Sequence, residues 1–421
     1  MESIDKKFKL VKTASPDKFQ LENIDPKDIP DMTCNSTKGS IHISDKGHLK
    51  PCCYFQNYGP HEKYWYEDSH IFNINSLDDR VDSYEWNNLI SPNPHCGNCI
   101  KEEMNGIHSL RQHWNETISP DTNKLQYLEL ALDFTCNMMC RMCNPSQSSA
   151  WNVSPVLNKM KDEIGATDWS DETYVKTKGS KDYTTNLKRI LSNSDLSELK
   201  KVILIGGEPL YSKSLPWFIN LLKKQEHWKD IELQIITNGS ILPSEDLFAG
   251  FKRLKFDVSI DAVGDLATVT RMKVPWKIID ANIREMTKLY KVSIHTTVSI
   301  LNCNQMQPLL DYREHLGIDW YSHTFAMLHN PRHLLLDLIP DEYRQKWITT
   351  MSEATPFRMH PKIKTMLKTT HQGNPDEAKR FLRAIEILDA ESEIPYRDVN
   401  PEIVGIMEEL VKNYKSEGKY S

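Results

Sequence analysis

Cys136, Cys140 and Cys143 stand in CxxxCxxC spacing just after the apolar run that extends from Leu125 to Phe134. Three thiolates on one loop can hold three irons of a four-iron, four-sulfur cubane, which leaves the fourth iron open to another ligand. An open iron is a place where chemistry can be done. The chain has nine cysteines in all. Cys34, Cys52, Cys53, Cys96 and Cys99 lie in the first hundred residues, and Cys303 stands alone. The N-terminus from Met1 to Phe8 has no apolar leader. The cytosol keeps thiols reduced, so this cysteine usage fits metal or redox chemistry better than disulfides.

Three further clusters carry chemistry-bearing types: Gly206-Gly207-Glu208-Pro209, Thr237-Asn238-Gly239, and Ser259-Ile260-Asp261-Ala262. Each closes a short β-rich apolar run, as the cysteines do. Six such runs, over 125–134, 201–205, 231–236, 255–260, 292–300 and 318–328, alternate with amphipathic segments such as 215–224 and 276–286. That is the pattern of repeated βα units and a parallel sheet. In α/β barrels the active site is assembled at the C-terminal ends of the strands. Independent motifs meeting on one rim therefore support one another.

The chain is 421 residues long with a formal net charge of -6, and its Lys and Arg are dispersed. No basic footprint for nucleic acid is visible. No stretch reaches the roughly 18 apolar residues of a membrane span. A large core domain with attachments, in a soluble cytoplasmic protein, is the expectation.

At these residues the chain resembles the radical S-adenosylmethionine superfamily, which carries CxxxCxxC after the first strand and a GGE-type motif after the second. The resemblance covers roughly residues 125 to 330. It implies an α/β fold with a partial, TIM-like (β/α)6 barrel, a [4Fe-4S] cluster on Cys136, Cys140 and Cys143, and S-adenosylmethionine on the open iron. It also implies the activity, in which a 5'-deoxyadenosyl radical abstracts hydrogen from a substrate and the protein positions and shields the cofactor. Gly206, Gly207, Glu208 and Pro209 match the segment that approaches the methionyl amino group. Glycines permit close backbone approach there, and the carboxylate balances an ammonium. Thr237 and Asn238 are hydrogen-bond candidates, although Asn-Gly is also a common tight turn. Ser259 and Asp261 fall where relatives make ribose or carboxylate contacts, and Arg271 where a basic residue faces the cofactor carboxylate. A surface arginine is the plain alternative. Met142 departs from the family's usual aromatic, and its thioether can still pack on adenine.

Upstream, Cys34, Gly47, Cys52 and the Cys96-Gly97-Asn98-Cys99 pair resemble the auxiliary-cluster modules called SPASM and Twitch, here placed before the barrel. With the further cysteines of a full SPASM domain missing, Twitch is the closer name. Cys34, Cys52, Cys96 and Cys99 are the implied ligands of an auxiliary [4Fe-4S] cluster, and Cys53 is left over. CxxC with two distant cysteines also makes a tetrahedral zinc site. Spacing alone favours zinc; the barrel downstream favours iron and sulfur. Cys303 reads as a small buried residue.

The expected organisation is a Twitch-like module over 1–118, the barrel over 119–335 and a helical extension over 336–421 that packs against the open side of the barrel. Residues 163–182 are polar and aperiodic, either a solvated insertion or a lid. His323, His329, Arg332 and His333 are candidates for the substrate side. The resemblance implies a peptide, protein or small-molecule substrate and a flavodoxin- or ferredoxin-type reductant. A non-catalytic iron-sulfur protein that moves electrons or senses redox state is the competing reading. Such a protein has no use for a sulfonium site.

Overall fold

In the computed structural model the described residues are 108–164, 181–354 and 373–416, with shorter stretches at 9–12, 19–22, 34–43, 47–53, 55, 70–81 and 97–104. Cys96 and residues 165–180 of the polar connection lie outside them.

One eight-stranded sheet organises the chain. Its strands are β1 (Ser40–Ile43), β2 (Leu49–Lys50), β3 (Tyr127–Ala131), β4 (Lys201–Ile205), β5 (Glu232–Thr237), β6 (Arg253–Ser259), β7 (Lys291–Val298) and β8 (His323–Met327). The spatial order is β8-β7-β6-β5-β4-β3-β1-β2, and every neighbouring pair is parallel except β1 with β2. Among the helices, those used below are α1 (Leu110–Thr117), α2 (Leu157–Ile164), α3 (Lys181–Asn193), α4 (Leu215–Lys223), α5 (Trp276–Leu289), α6 (Met306–His315), α7 (Pro375–Asp389) and α8 (Pro401–Ser416).

All six apolar runs contain a strand of this sheet. The last run is only half strand. Trp320–Ser322 forms a 3-10 turn and β8 begins at His323. Two strands were not foreseen. Hydrogen bonding of β1 to β3, in the register Ser40↔Tyr127 and His42↔Glu129, makes part of the N-terminal segment an extension of the barrel sheet. Without β1, β3 would present an unpaired edge.

Alternate residues of a strand face opposite sides. On one side Leu128, Leu130, Val202, Leu204, Leu233, Ile235, Phe256 and Val258 pack with Leu187 and Ile190 of α3, Phe218 of α4 and Ile283 of α5 in a single core. The other side is mixed, with Ile203 packed beside Tyr127 and with polar pairs. Glu129 meets His42 at 3.4 Å, Lys201 meets Glu232 at 2.8 Å, and Asp257 takes Lys255 at 2.9 Å and the Gln234 amide. No helix among the described residues is long and apolar enough to cross a membrane.

A chain beginning at residue 123 lacks β1 and α1 and exposes the edge of β3. It should self-associate and unfold at lower denaturant than the parent. Light scattering and chemical unfolding check this, and a monomer of parental stability would mean that the sheet is complete without its N-terminal strand.

Candidate active site

The loop after β3 carries the cysteines, and its own short strand Met139–Cys140 pairs antiparallel with Arg271–Met272 in the register Arg271↔Cys140. Hydroxyls just downstream hold the loop's shape. Ser149 Oγ accepts from Cys136 N at 3.0 Å, and Ser148 Oγ donates to Met138 O at 2.6 Å. Trp151 Nε1 donates to Cys140 O at 3.3 Å.

The loop after β4 comes so close that two positions have no room for a side chain. Gly206 has φ +75° and a Cβ there would lie 2.5 Å from Ala131 Cβ; Gly207 has φ +46° and its Cβ would meet Thr135 O at 2.4 Å. Both φ values belong to the region that glycine enters freely. Glu208 N then donates to Thr135 O at 2.8 Å.

A cavity of about 390 Å³ opens between these loops. Cys136, Cys140 and Cys143 line it together with Met142, Gly206, Gly207, Thr237, Asn238, Ser259 and Arg271. Most of the residues singled out from the sequence thus share one wall. Asn144, Gln147, Ser148, Thr297, Leu328 and Asn330 line it as well and were not foreseen. The first three follow the cysteine motif directly and the others end β7 and follow β8, so strand-end position was the available signal.

Three expected contacts fall elsewhere. Glu208 is buried at 1% exposure and does not line the cavity. Its Oε1 accepts from Thr237 Oγ1 at 2.7 Å and Leu210 N at 3.0 Å, and its Oε2 from Asn238 N at 2.6 Å. These three donors take the carboxylate that was expected to balance an ammonium. Pro209 is buried at the start of the 3-10 turn Pro209–Tyr211. Asp261 is likewise consumed, Oδ2 accepting from Arg271 Nε at 2.7 Å and Oδ1 from Thr297 N at 2.8 Å. His323, His329, Arg332 and His333 do not line the cavity. Burial pushes His323 down to about 3 and His333 to about 4, so both rings are neutral near pH 7.

The three thiols line one cavity, and among the described residues no group of three His, Cys, Asp or Glu side chains is arranged to hold a single metal ion. Burial raises all three thiol pKa values, Cys140 to about 12 with the Arg271 charge pulling the other way. They are neutral until a metal displaces their protons. Asn238 Nδ2 lies 3.8 Å from Cys136 Sγ, and Arg271 Nη1 lies 4.0 Å from Cys140 Sγ. Both are donors aimed at the sulfurs.

Cys34 and Cys52 lie toward the opposite end of the sheet. Cys34 precedes β1, which runs parallel to β3, and Cys52 follows the antiparallel β2. Both pack against Trp114, Ile118 and Tyr127. Arg111 of α1 is ion-paired with Glu103 at 2.5 Å and lies within electrostatic reach of Cys34 and Cys99. Three of the four cysteines implied for the auxiliary cluster therefore share one neighbourhood. Cys53 is exposed and Cys303 is buried.

No family model matches the chain. It is 28% identical over 145 residues to GTP 3',8-cyclase of Aliarcobacter butzleri, covering 33% of this chain and 36% of that protein. To the protein of the same name from Campylobacter jejuni (strain RM1221) it is 29% identical over 143 residues, with 33% and 36% covered. The match thus spans about a third of the length of these curated relatives. Among solved structures, Streptococcus suis SuiB bound to S-adenosylmethionine is 15% identical, with a TM-score of 0.33 and coverage of 59% of this chain and 46% of that one. Native anSMEcpe with bound AdoMet is 14% identical, with a TM-score of 0.34 and coverage of 63% and 59%. Structural likeness at that level is too slight to argue from.

Gly207→Ala should force the β4 loop off the cysteine loop. The expected result is a loss of at least ~1 kcal/mol of stability together with poorer iron retention. Denaturant unfolding and iron content after reconstitution measure both, and a variant unchanged in either would show that the loops do not need this close approach.

Proposed function

We propose that the chain is an enzyme of the radical S-adenosylmethionine superfamily, acting on an unactivated C–H position of a peptide, a protein side chain or a small metabolite. One observation carries the proposal. A single cavity joins three thiols to a wall of glycine backbone, small hydroxyl and amide side chains and one guanidinium. A protein that only passes electrons needs the thiols but not that wall.

Cys136, Cys140 and Cys143 would hold a [4Fe-4S] cluster with S-adenosylmethionine on its open iron, and with one electron from a flavodoxin- or ferredoxin-type reductant that pair would supply methionine and a 5'-deoxyadenosyl radical able to take hydrogen from the substrate. The chain's own residues bind and orient. Gly206 and Gly207 offer backbone groups to the methionyl end, and Arg271 offers its guanidinium to a carboxylate. Ser259, Thr237 and Asn238 provide hydrogen bonds, and Met142 an apolar contact for the adenine. Glu208 and Asp261 act one step back. Glu208 orients the Thr237–Asn238 turn, and Asp261 fixes the direction of Arg271.

Cys34, Cys52, Cys96 and Cys99 are proposed as ligands of an auxiliary [4Fe-4S] cluster, with a flavodoxin- or ferredoxin-type protein as reductant. The name of the curated relatives puts nucleotides among the small metabolites to be tested.

The test uses anaerobically reconstituted protein with dithionite and S-adenosylmethionine. The parent should form 5'-deoxyadenosine, and a Cys136/Cys140/Cys143→Ala variant should form none. Full iron loading with neither deoxyadenosine nor affinity for S-adenosylmethionine would leave an electron carrier in its place.

A further inference from the structure

Arg141 sits between Cys140 and Cys143 yet does not line the cavity, and it is 1% exposed. Its side chain is held from behind. Nε donates to Val269 O at 2.7 Å, Nη2 donates to Asp389 Oδ1 at 2.5 Å, and the guanidinium lies over the Tyr396 ring at 5.6 Å. Its backbone N donates to Thr270 O at 2.9 Å. Asp389 is the last residue of α7, and the same Oδ1 accepts from Tyr396 N at 2.9 Å. One carboxylate therefore joins the C-terminal helices to the middle of the cysteine motif.

A second observation agrees independently. Met139 of the loop packs with Trp151, Met160 and Ile164 against Ala384, Ile387 and Leu388 of α7, and Cys143 lies against that cluster. Arg383 of α7 also pairs with Glu163 of α2, the helix that follows the loop. The back of the cysteine loop is thus built from the C-terminal extension.

We infer that Asp389 is a positioning residue for the cluster, acting through Arg141 to hold the Cys140–Cys143 segment, and that the C-terminal helices belong to the cluster-holding apparatus. The inference rests on the radical reading of the loop. Asn at 389 keeps the shape but removes the charge opposite a buried guanidinium, which is then left unpaired. Arg141 shifts to find other partners, and the two cysteines that flank it shift with it. Partners one step behind the ligands commonly govern metal retention to this degree.

The experiment compares parent, Asp389→Asn and Tyr396→Phe after anaerobic reconstitution. It reads iron release to a chelator and the electron paramagnetic resonance line shape of the reduced cluster, with Cys136/Cys140/Cys143→Ala as the baseline. Asp389→Asn should release the loop's iron roughly 10- to 100-fold faster and change the line shape. Tyr396→Phe removes the hydroxyl that donates to Leu301 O at 3.0 Å but leaves the carboxylate, and should match the parent. A merely structural role for the extension would move both variants alike and overturn the inference. So would an Asp389→Asn protein identical to the parent. Should Asp389→Asn not fold, Arg141→Lys weakens the same bond from the loop's side and should show the same faster release, with parental release counting against the inference. A parent that holds no iron on these cysteines overturns the radical reading and this inference together, whereas iron held equally by parent and variant overturns this inference alone.

Discussion

The site depends on how one buried carboxylate is satisfied. Glu208 has almost no contact with water, and burial pushes its pKa up while donors from Asn238, Thr237 and Leu210 pull it the other way. Each hydrogen bond to such a charge is worth about 1.5–3 kcal/mol. Because two of the donors are the last residue of β5 and the one after it, and the backbone N of Glu208 reaches the loop after β3, the ends of three adjacent strands are drawn to one point. The glycines before Glu208 are what let the backbone come that near.

Asp261 repeats the device on the other half of the rim. It takes Arg271 and the Thr297 amide, and Asn302 Nδ2 donates to the carbonyls of both Asp261 and Thr297. Carboxylates that the sequence offers as ligand contacts are hydrogen-bonded in this structure to residues that line the cavity. What faces the cavity is mostly backbone, hydroxyl, amide and one guanidinium. These groups can contact a charged cofactor without presenting a second negative charge to an anionic cluster.

Much of this architecture is legible in the sequence because parallel strands buried on a helix layer read as short apolar runs. Each of the six runs contains a strand, and the glycine-rich turn and cysteine loop fall at strand ends as barrels require. The legible features stop where partners come from far along the chain. Ser40–Ile43 is too short to announce itself, and its place in the sheet is set by the open edge of β3. The type of Glu208 is plain in the sequence, but its three donors lie up to thirty positions away. The region 318–328 reads as one strand, although Trp320 and Tyr321 are exposed in a 3-10 turn that the apolar count cannot separate from β8. The helices after residue 374 show their apolar faces clearly. That one of those faces meets Met139 and Cys143 is a tertiary fact with no local signature.

On the proposed function, the three thiols hold a cluster whose remaining iron takes S-adenosylmethionine in the adjoining cavity. The most direct measurement is the electron paramagnetic resonance spectrum of the reduced, reconstituted protein before and after S-adenosylmethionine is added, with the N-terminal cysteines replaced so that one cluster is seen. The account predicts that the cofactor changes the spectrum, because it becomes a ligand of the cluster. A cluster signal indifferent to saturating S-adenosylmethionine would contradict it.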